Sequence, residues 1–503
     1  VGGDLLDAAS DDAVSGLAGT SAVSPLATGA YTSYAGIDGE SPWNSCYAAI
    51  RAASLFVSNI DVSPVKEKLP NGASVRYAWK AEARFIRALF YFELLKRYGG
   101  VPLMGDKVRT LGDDVQVPRS SFADCVNYIV NECDAIKDSL RPNPIAAPEL
   151  NSHRATRGAA LALKARVLLY AASPLFNGQN IDAGNPLTGY GSYDKARWKL
   201  AADAARELID EKTFTLTPNF KDIFITQNNS EVIFFRQGDN TTEIESTNGP
   251  VGFAAVARGR TKPTQELVDA FTDNTGVPIT DPASGYNSND PYTARDPRLA
   301  MSILYNGARW LNTELQTFEG GQSRPGGAEP GTKTSYYMRK FMGNFENATQ
   351  YSNTSHDWII LRYTEVLLNF AEAENEFSGP TTEVYQVLKE LRARAGIEAG
   401  DNGMYGLREN MTPDEMREVV HNERRIELAF EEHRFWDIRR WKIAQQVYGS
   451  PLHGMSIIKD GPAFNYNPVE VFKPVFIAPK MYLYPIPYDE VVKNDNMLQN
   501  PGW

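Results

Sequence analysis

Cysteine and histidine are scarce in this sequence, three of one and five of the other among 503 residues. Cys46, Cys125 and Cys133 are odd in number and lack C-x-x-C spacing, so they suit neither a disulfide framework nor a zinc set; buried free thiols are the expectation. His153, His356, His421, His433 and His453 include no pair four residues apart, which removes the metal sites built on one helix face. Long apolar runs are missing too. The most apolar stretch, residues 158–176, carries Lys164 and Arg166, so no helix is expected to span a bilayer. Runs of lysine and arginine are absent and the formal charge is −11, which argues against nucleic acid as a partner. No G-x-S-x-G, G-x-x-x-x-G-K-[ST], H-E-x-x-H or EF-hand loop occurs, and no G-x-G-x-x-G follows a strand. Ser63 and Lys66 match the S-x-x-K spacing of serine acyl-enzymes without their companion motifs. A glycosidase stays open, because its two carboxylates need no local motif. The opening VGGDLLDAASDDAV has neither the basic nor the apolar part of a signal peptide.

What is present is an ordinary globular composition, 42% hydrophobic, 22% charged and 11% aromatic, in which helical periodicity dominates. Residues 75–98 place Ala81, Phe85, Ala88, Leu89, Phe92 and Leu95 at helical spacing; Gly99-Gly100 then ends the helix and Pro102 prevents its resumption. A helix over 43–60 precedes it closely enough to form an antiparallel hairpin. The spacing predicts further helices over 121–140, 156–172, 194–211, 357–377, 382–395 and 412–447, the last opened by a capping box at Thr412-Pro413-Asp414-Glu415. Small residues crowd the inner members, as in RGAALALKARVLLYAA, and let neighbouring helices approach closely. Degenerate tetratricopeptide-like pairs without a strict 34-residue period fit best. Between 213 and 355 the helical signal fades into short β-like runs such as 232–235, a Gly/Pro-rich stretch at 320–331, and many aromatics.

Residues 422–441 read NERRIELAFEEHRFWDIRRW, a tight mixture of charges and large apolar side chains. Glu423 and Glu427, one helical turn apart, would make an acid/base pair in a catalytic reading. Arginine–carboxylate pairing on a half-buried helix is the favoured one, since buried charges must be paired. The segment resembles the C-terminal signature of the SusD/RagB family, E-R-R-x-E-L-A-F-E-G-x-R-x-x-D-L-x-R-W, with Glu432 in place of glycine and Ile438 in place of leucine. Other segments resemble the same family in the same order, among them WNSCYAAIRAASLFVSNID, AEARFIRALFYFELLKRYGGVPLM, ATRGAALALKARVLLYAASP, DPRLAMSILYNGARW and the ending LYPIPYDEVVKNDNMLQNPGW. Ser54 departs from the family's asparagine.

The resemblance implies a mostly α fold, a right-handed superhelix of four tetratricopeptide-like helix pairs with long decorating loops and minor β structure. It divides the chain into an N-terminal helical half, 1–215, and a C-terminal half, 216–503, with the ligand loops in 216–356, all within one compact lobe. It also implies a non-catalytic, lipid-anchored protein of the outer-membrane surface, which binds an oligo- or polysaccharide and delivers it to a SusC-like TonB-dependent porin. The anchor would lie in a segment upstream of LLDAASDDAV. A peptide-carrying RagB-type relative is the first alternative, and a glycoside hydrolase or a protein-binding adaptor is less favoured. No cofactor or metal is implied, although calcium among loop oxygens is compatible with the composition.

Sugars present apolar C–H faces and polar edges, so a binding platform needs flat aromatic rings with amides, carboxylates or backbone groups beside them. Aromatic enrichment outside the helices, at positions resembling those of the family's site, selects Asp11, Asp12, Tyr31 and Tyr34 from the N-terminal loop. The same criterion selects Tyr286, Asn287, Tyr292, Trp310 and Phe318 from the later loops. Trp310, after a Tyr-Asn-Gly-Ala-Arg turn, is equally suited to the core. Trp43 shares a helix face with Tyr47 and Ile50 and should pack inward. Tyr336 and Tyr337 alternate on a probable strand, so at most one faces a ligand.

Overall fold

Helix α1 (Trp43–Asn59) packs along α2 (Val75–Tyr98) as the expected hairpin. Helices α3 (Phe122–Ile136), α4 (Arg157–Ala172), α5 (Ala196–Asp210), α6 (Tyr363–Ser378) and α7 (Thr382–Ala395) each pack on their predecessor, and α8 (Pro413–Glu427) returns onto α6. This computed structural model describes residues 3–16, 21–37, 40–69, 71–110, 112–114, 116–143, 153–253, 257–326 and 332–503. Part of the Gly/Pro-rich stretch, 327–331, lies outside the described residues.

Local chemistry sets the helix ends. The Ser121, Thr156 and Thr381 hydroxyls each accept from the backbone N–H three residues on, and Thr412 and Glu415 close the capping box. Each such cap is worth about 1 kcal/mol. Gly99 and Gly100 end α2 for a further reason: a Cβ on Gly100 would lie 2.1 Å from the Ser120 carbonyl oxygen. Helix α4, built largely of alanine and leucine, is buried almost all round and touches α3, α5 and α6. The three thiols are free and buried, and burial pushes those of Cys46 and Cys125 up to about 12. Among the described residues no helix is long and apolar enough to cross a membrane.

Strands are short and paired two by two among the described residues. Strand β1 (Ala13–Ser15) lies antiparallel to β3 (Thr261–Pro263), and β2 (Val232–Arg236) to β4 (Trp358–Arg362). The longest ladder is the hairpin of β5 (Leu452–Asp460) and β6 (Ala463–Phe472), in which Asp460 faces Ala463 across a two-residue turn. Two helix expectations need correction here. Residues 358–362 form β4, because their aromatic and β-branched side chains pair with β2, and α6 begins only at Tyr363. The 412–447 helix is broken after Glu427: Phe430, Glu432 and Lys442 take left-handed φ values of 65°, 63° and 66°, and a short helix α9 (Arg434–Arg440) follows.

That break receives the N-terminal segment. Asp7, fully buried, accepts from the backbone N–H groups of Phe430 and Glu432, both at 3.1 Å. The charged signature is a buried ion-pair network. Arg298 reaches Asp296, Glu423 and Glu427; Glu427 also meets Arg362 and Arg394; Glu423 meets Arg392. Burial alone would raise both glutamates, but the facing guanidinium groups hold them below the usual carboxylate range. Glu423 and Glu427 are therefore arginine partners in the core, with no opening to a substrate.

Candidate functional site

Tyr292 and Tyr305 stack with ring centroids 4.3 Å apart, and Tyr466 of β6 meets Tyr292 edge-on at 5.6 Å. Phe464, next but one along the strand and so on the same face, continues the row toward Phe318 at 5.4 Å. Tyr286 extends the other end, its ring 5.2 Å from the Arg295 guanidinium. These rings are only partly buried. Asn287 and Asp290 are exposed beside them, and Lys459 lies 5.3 Å from the Phe318 ring.

Buried polar groups fix the row from beneath. The Tyr292 and Tyr336 hydroxyls share a hydrogen bond of 3.1 Å, Tyr336 donates to Gln265 Oε1 at 2.6 Å, and Gln265 donates to Asp269 at 2.7 Å. Burial raises both tyrosine hydroxyls, which stay protonated and able to donate, and it also raises the Asp269 carboxyl. Arg295 gives its N–H groups to the carbonyls of Val268, Phe271, Thr272 and Pro291, which anchors the loop carrying Tyr286 and Tyr292. The hairpin is held as firmly: Met455 N–H donates to Thr334 O, Glu319 N–H to Ile457 O, and Ser335 Oγ to Met455 O. Gly454 permits this approach, since a Cβ there would sit 2.5 Å from Thr334 Cα.

Of the residues expected to form one platform, Tyr286, Asn287, Tyr292 and Phe318 come together. Four others are corrected. Asp11 and Asp12 lie inside, where Arg434 holds Asp11 at 2.8 Å through two nitrogens and Arg425 holds Asp12 at 2.7 Å. Those guanidinium groups outweigh burial and keep the Asp11 carboxyl well below its ordinary range. Tyr31 is packed against Trp503 and Tyr484, and Trp310 is wholly buried, donating to the Tyr351 hydroxyl at 3.0 Å. Tyr336 and Tyr337 are both buried, so neither faces a ligand. Tyr34 is 74% exposed and stacks on Tyr488 at 4.1 Å, and no ring contact among the described residues joins that pair to the Tyr292 row. Tyr305, Phe464, Tyr466 and Tyr488 escaped the sequence reading. For two of them the alternation in Ala463-Phe464-Asn465-Tyr466-Asn467 was the available signal. Among the described residues no three of His, Cys, Asp and Glu are grouped to hold a metal ion.

Comparison with known proteins places residues 230–503 in the SusD family and matches residues 13–169 to a family described as starch-binding, associating with the outer membrane. SusD-like protein P2 of Formosa agariphila is 26% identical over 475 residues, covering 92% of this chain and 80% of that one. A crystal structure of a SusD-like protein from Bacteroides fragilis superposes with a TM-score of 0.81 at 27% identity, over 99% of this chain and 93% of the other. A SusD-like carbohydrate binding protein from the same organism gives 0.77 at 25% identity, over 98% and 92%.

Proposed function

Because the chain belongs to the SusD family, we propose that it binds an oligo- or polysaccharide at the outer-membrane surface and delivers it, chemically unchanged, to a SusC-like TonB-dependent transporter. A lipid attached upstream of Leu5 holds it to the membrane. The observation that carries the reading is the fixed row of half-exposed rings, Tyr286, Tyr292, Tyr305, Tyr466, Phe464 and Phe318, with Asn287 and Asp290 at its edge. Flat rings take the apolar faces of successive sugars, and the amide and carboxylate take their hydroxyls. Tyr34 on Tyr488 gives a long glycan a second exposed stack. A SusD-like relative described as carbohydrate binding supports the same cargo.

Native electrophoresis through gels containing plant, host and microbial polysaccharides tests this. Retardation on at least one glycan is expected, and Tyr466→Ala should weaken it about fivefold, the loss of roughly 1 kcal/mol of ring stacking. Tyr292→Ala and Phe318→Ala should act in the same direction with the fold intact. If no polysaccharide retards the protein, or all three variants run unchanged, the platform is wrong and peptides become the leading cargo. Release of reducing ends in proportion to protein would instead mark a hydrolase.

A further inference from the structure

A cavity of about 550 Å³ opens between α2, β2, β4 and the turn that follows α8, and it shares no residue with the aromatic row. Its apolar wall includes Leu89, Phe90, Phe235, Trp358 and Trp436, charged side chains such as Glu93, Lys96 and Arg166 line it as well, and its size is that of a small-molecule site. Glu432 and His433, two consecutive residues of the turn, are among its polar lining.

His433 Nδ1 faces Arg424 Nη2 at 3.2 Å. Arginine is only a donor, so Nδ1 accepts and the ring hydrogen sits on Nε2, which has no protein hydrogen bond among the described residues. Burial and the positive charges of Arg424, Arg166, Arg362 and Lys96 keep the imidazole uncharged. Glu432 Oε1 accepts from Leu6 N–H at 3.1 Å, and Oε2 takes no hydrogen bond from the described residues. The Glu432 backbone has φ 63°, a conformation costly for any residue with a Cβ and retained where the surroundings demand that side chain. Glycine, which the signature has at this position, would adopt it freely, so the carboxyl is carried into the cavity against a local cost.

Other cations inside the cavity have carboxylate partners, with Arg97 Nε left buried and without an acceptor among the described residues. Lys96 pairs with Glu93 at 2.8 Å, Arg97 with Glu40 at 2.7 Å and Arg166 with Glu365 at 2.6 Å, while Arg236 is exposed at the rim. An anionic head group would find no free cation inside. Burial and the Glu40 charge raise the Glu432 carboxyl above its ordinary range; a hydroxyl complements either form, donating to the carboxylate or accepting from the acid.

We propose that this cavity binds an uncharged, mainly apolar molecule ending in a hydroxyl, which accepts from His433 Nε2–H, pairs with Glu432 Oε2 and lays its apolar body against Phe90 and Trp436. The probe is 2-naphthol, titrated into the whole protein by calorimetry, with naphthalene and 2-naphthoate as controls. Saturable binding of one 2-naphthol per chain is expected, with both controls about a hundredfold weaker, the worth of two hydrogen bonds to buried partners, about tenfold each. Glu432→Gly, whose backbone suits the turn, should lose the tenfold of its own hydrogen bond for 2-naphthol and leave naphthalene unchanged. Phe90→Ala, at a half-exposed wall, should weaken both. Glycan retention should not change in either variant. The proposal is overturned if 2-naphthol does not saturate the protein, if naphthalene or 2-naphthoate binds as tightly, or if Glu432→Gly binds 2-naphthol as the parent does.

Discussion

Glu427, fully buried, accepts from Arg298 at 2.9 Å, from Arg362 at 3.0 Å and from Arg394, whose side chain is 4% exposed. Removing that one carboxylate leaves several guanidinium groups buried and under-compensated, so Glu427→Ala is expected to cost about 3–5 kcal/mol, read as a lower urea midpoint. A set of such carboxylates also fixes the response to acid. Burial opposes ionisation of Glu93 and Glu372, but Lys96 and Arg97 hold the first at about 2, and Arg440 holds the second at about 2. Their folded values lie below the unfolded one, so the stability they lend is complete above about pH 4.5 and disappears as pH falls toward 2. Thermal unfolding followed from pH 6 to pH 2.5 should show the transition falling, less steeply in Glu372→Gln. Asp7, raised by burial and by Asp12 and Glu432, acts with the opposite sign and loses its contribution as pH rises through its folded value. At this scale the sequence discloses that arginine and carboxylate must pair but not which. Asp11 and Asp12 read as surface acids because their partner Arg425 stands 413 or more residues away.

Helices were legible because each carries its own periodicity, and four of α1 to α9 also carry a side-chain cap. β4 was not, since Trp358-Ile359-Ile360-Leu361 runs directly into an amphipathic helix and only its pairing with β2 separates the two. The break after α8 was hidden for a related reason: helical spacing persists through residues 428–433, and the backbone turns there because Asp7 binds its N–H groups. The hairpin β5–β6 is the element on which the aromatic row depends. Gly454→Ala would set a methyl group against Thr334 Cα and push the hairpin outward. The expected result is a loss of about 1–3 kcal/mol, with weaker glycan retention although no ring has been altered. Comparable retention with normal stability would show that the hairpin does not position Phe464 and Tyr466.

For the whole molecule, the architecture follows from helices that pair with sequence neighbours, whereas the candidate site gathers rings from residues 286–318 and 464–466, whose proximity no local pattern encodes. A bound glycan should act on the entire structure. At a hundred times its Kd it is expected to add about 2.7 kcal/mol to the folded state, visible as a higher unfolding temperature that tracks glycan concentration. The contacts of Asp7 with Phe430 and Glu432 bear on a different matter, the order of events during synthesis. Partners 423 and 425 residues apart cannot meet until nearly the whole chain exists. At roughly 5–20 residues per second Asp7 waits about 20–80 s for these partners to be made. The seat of Asp7 on the 428–433 turn is therefore completed late, whereas strand β1, six residues on, has its partner β3 available once residue 263 has been made.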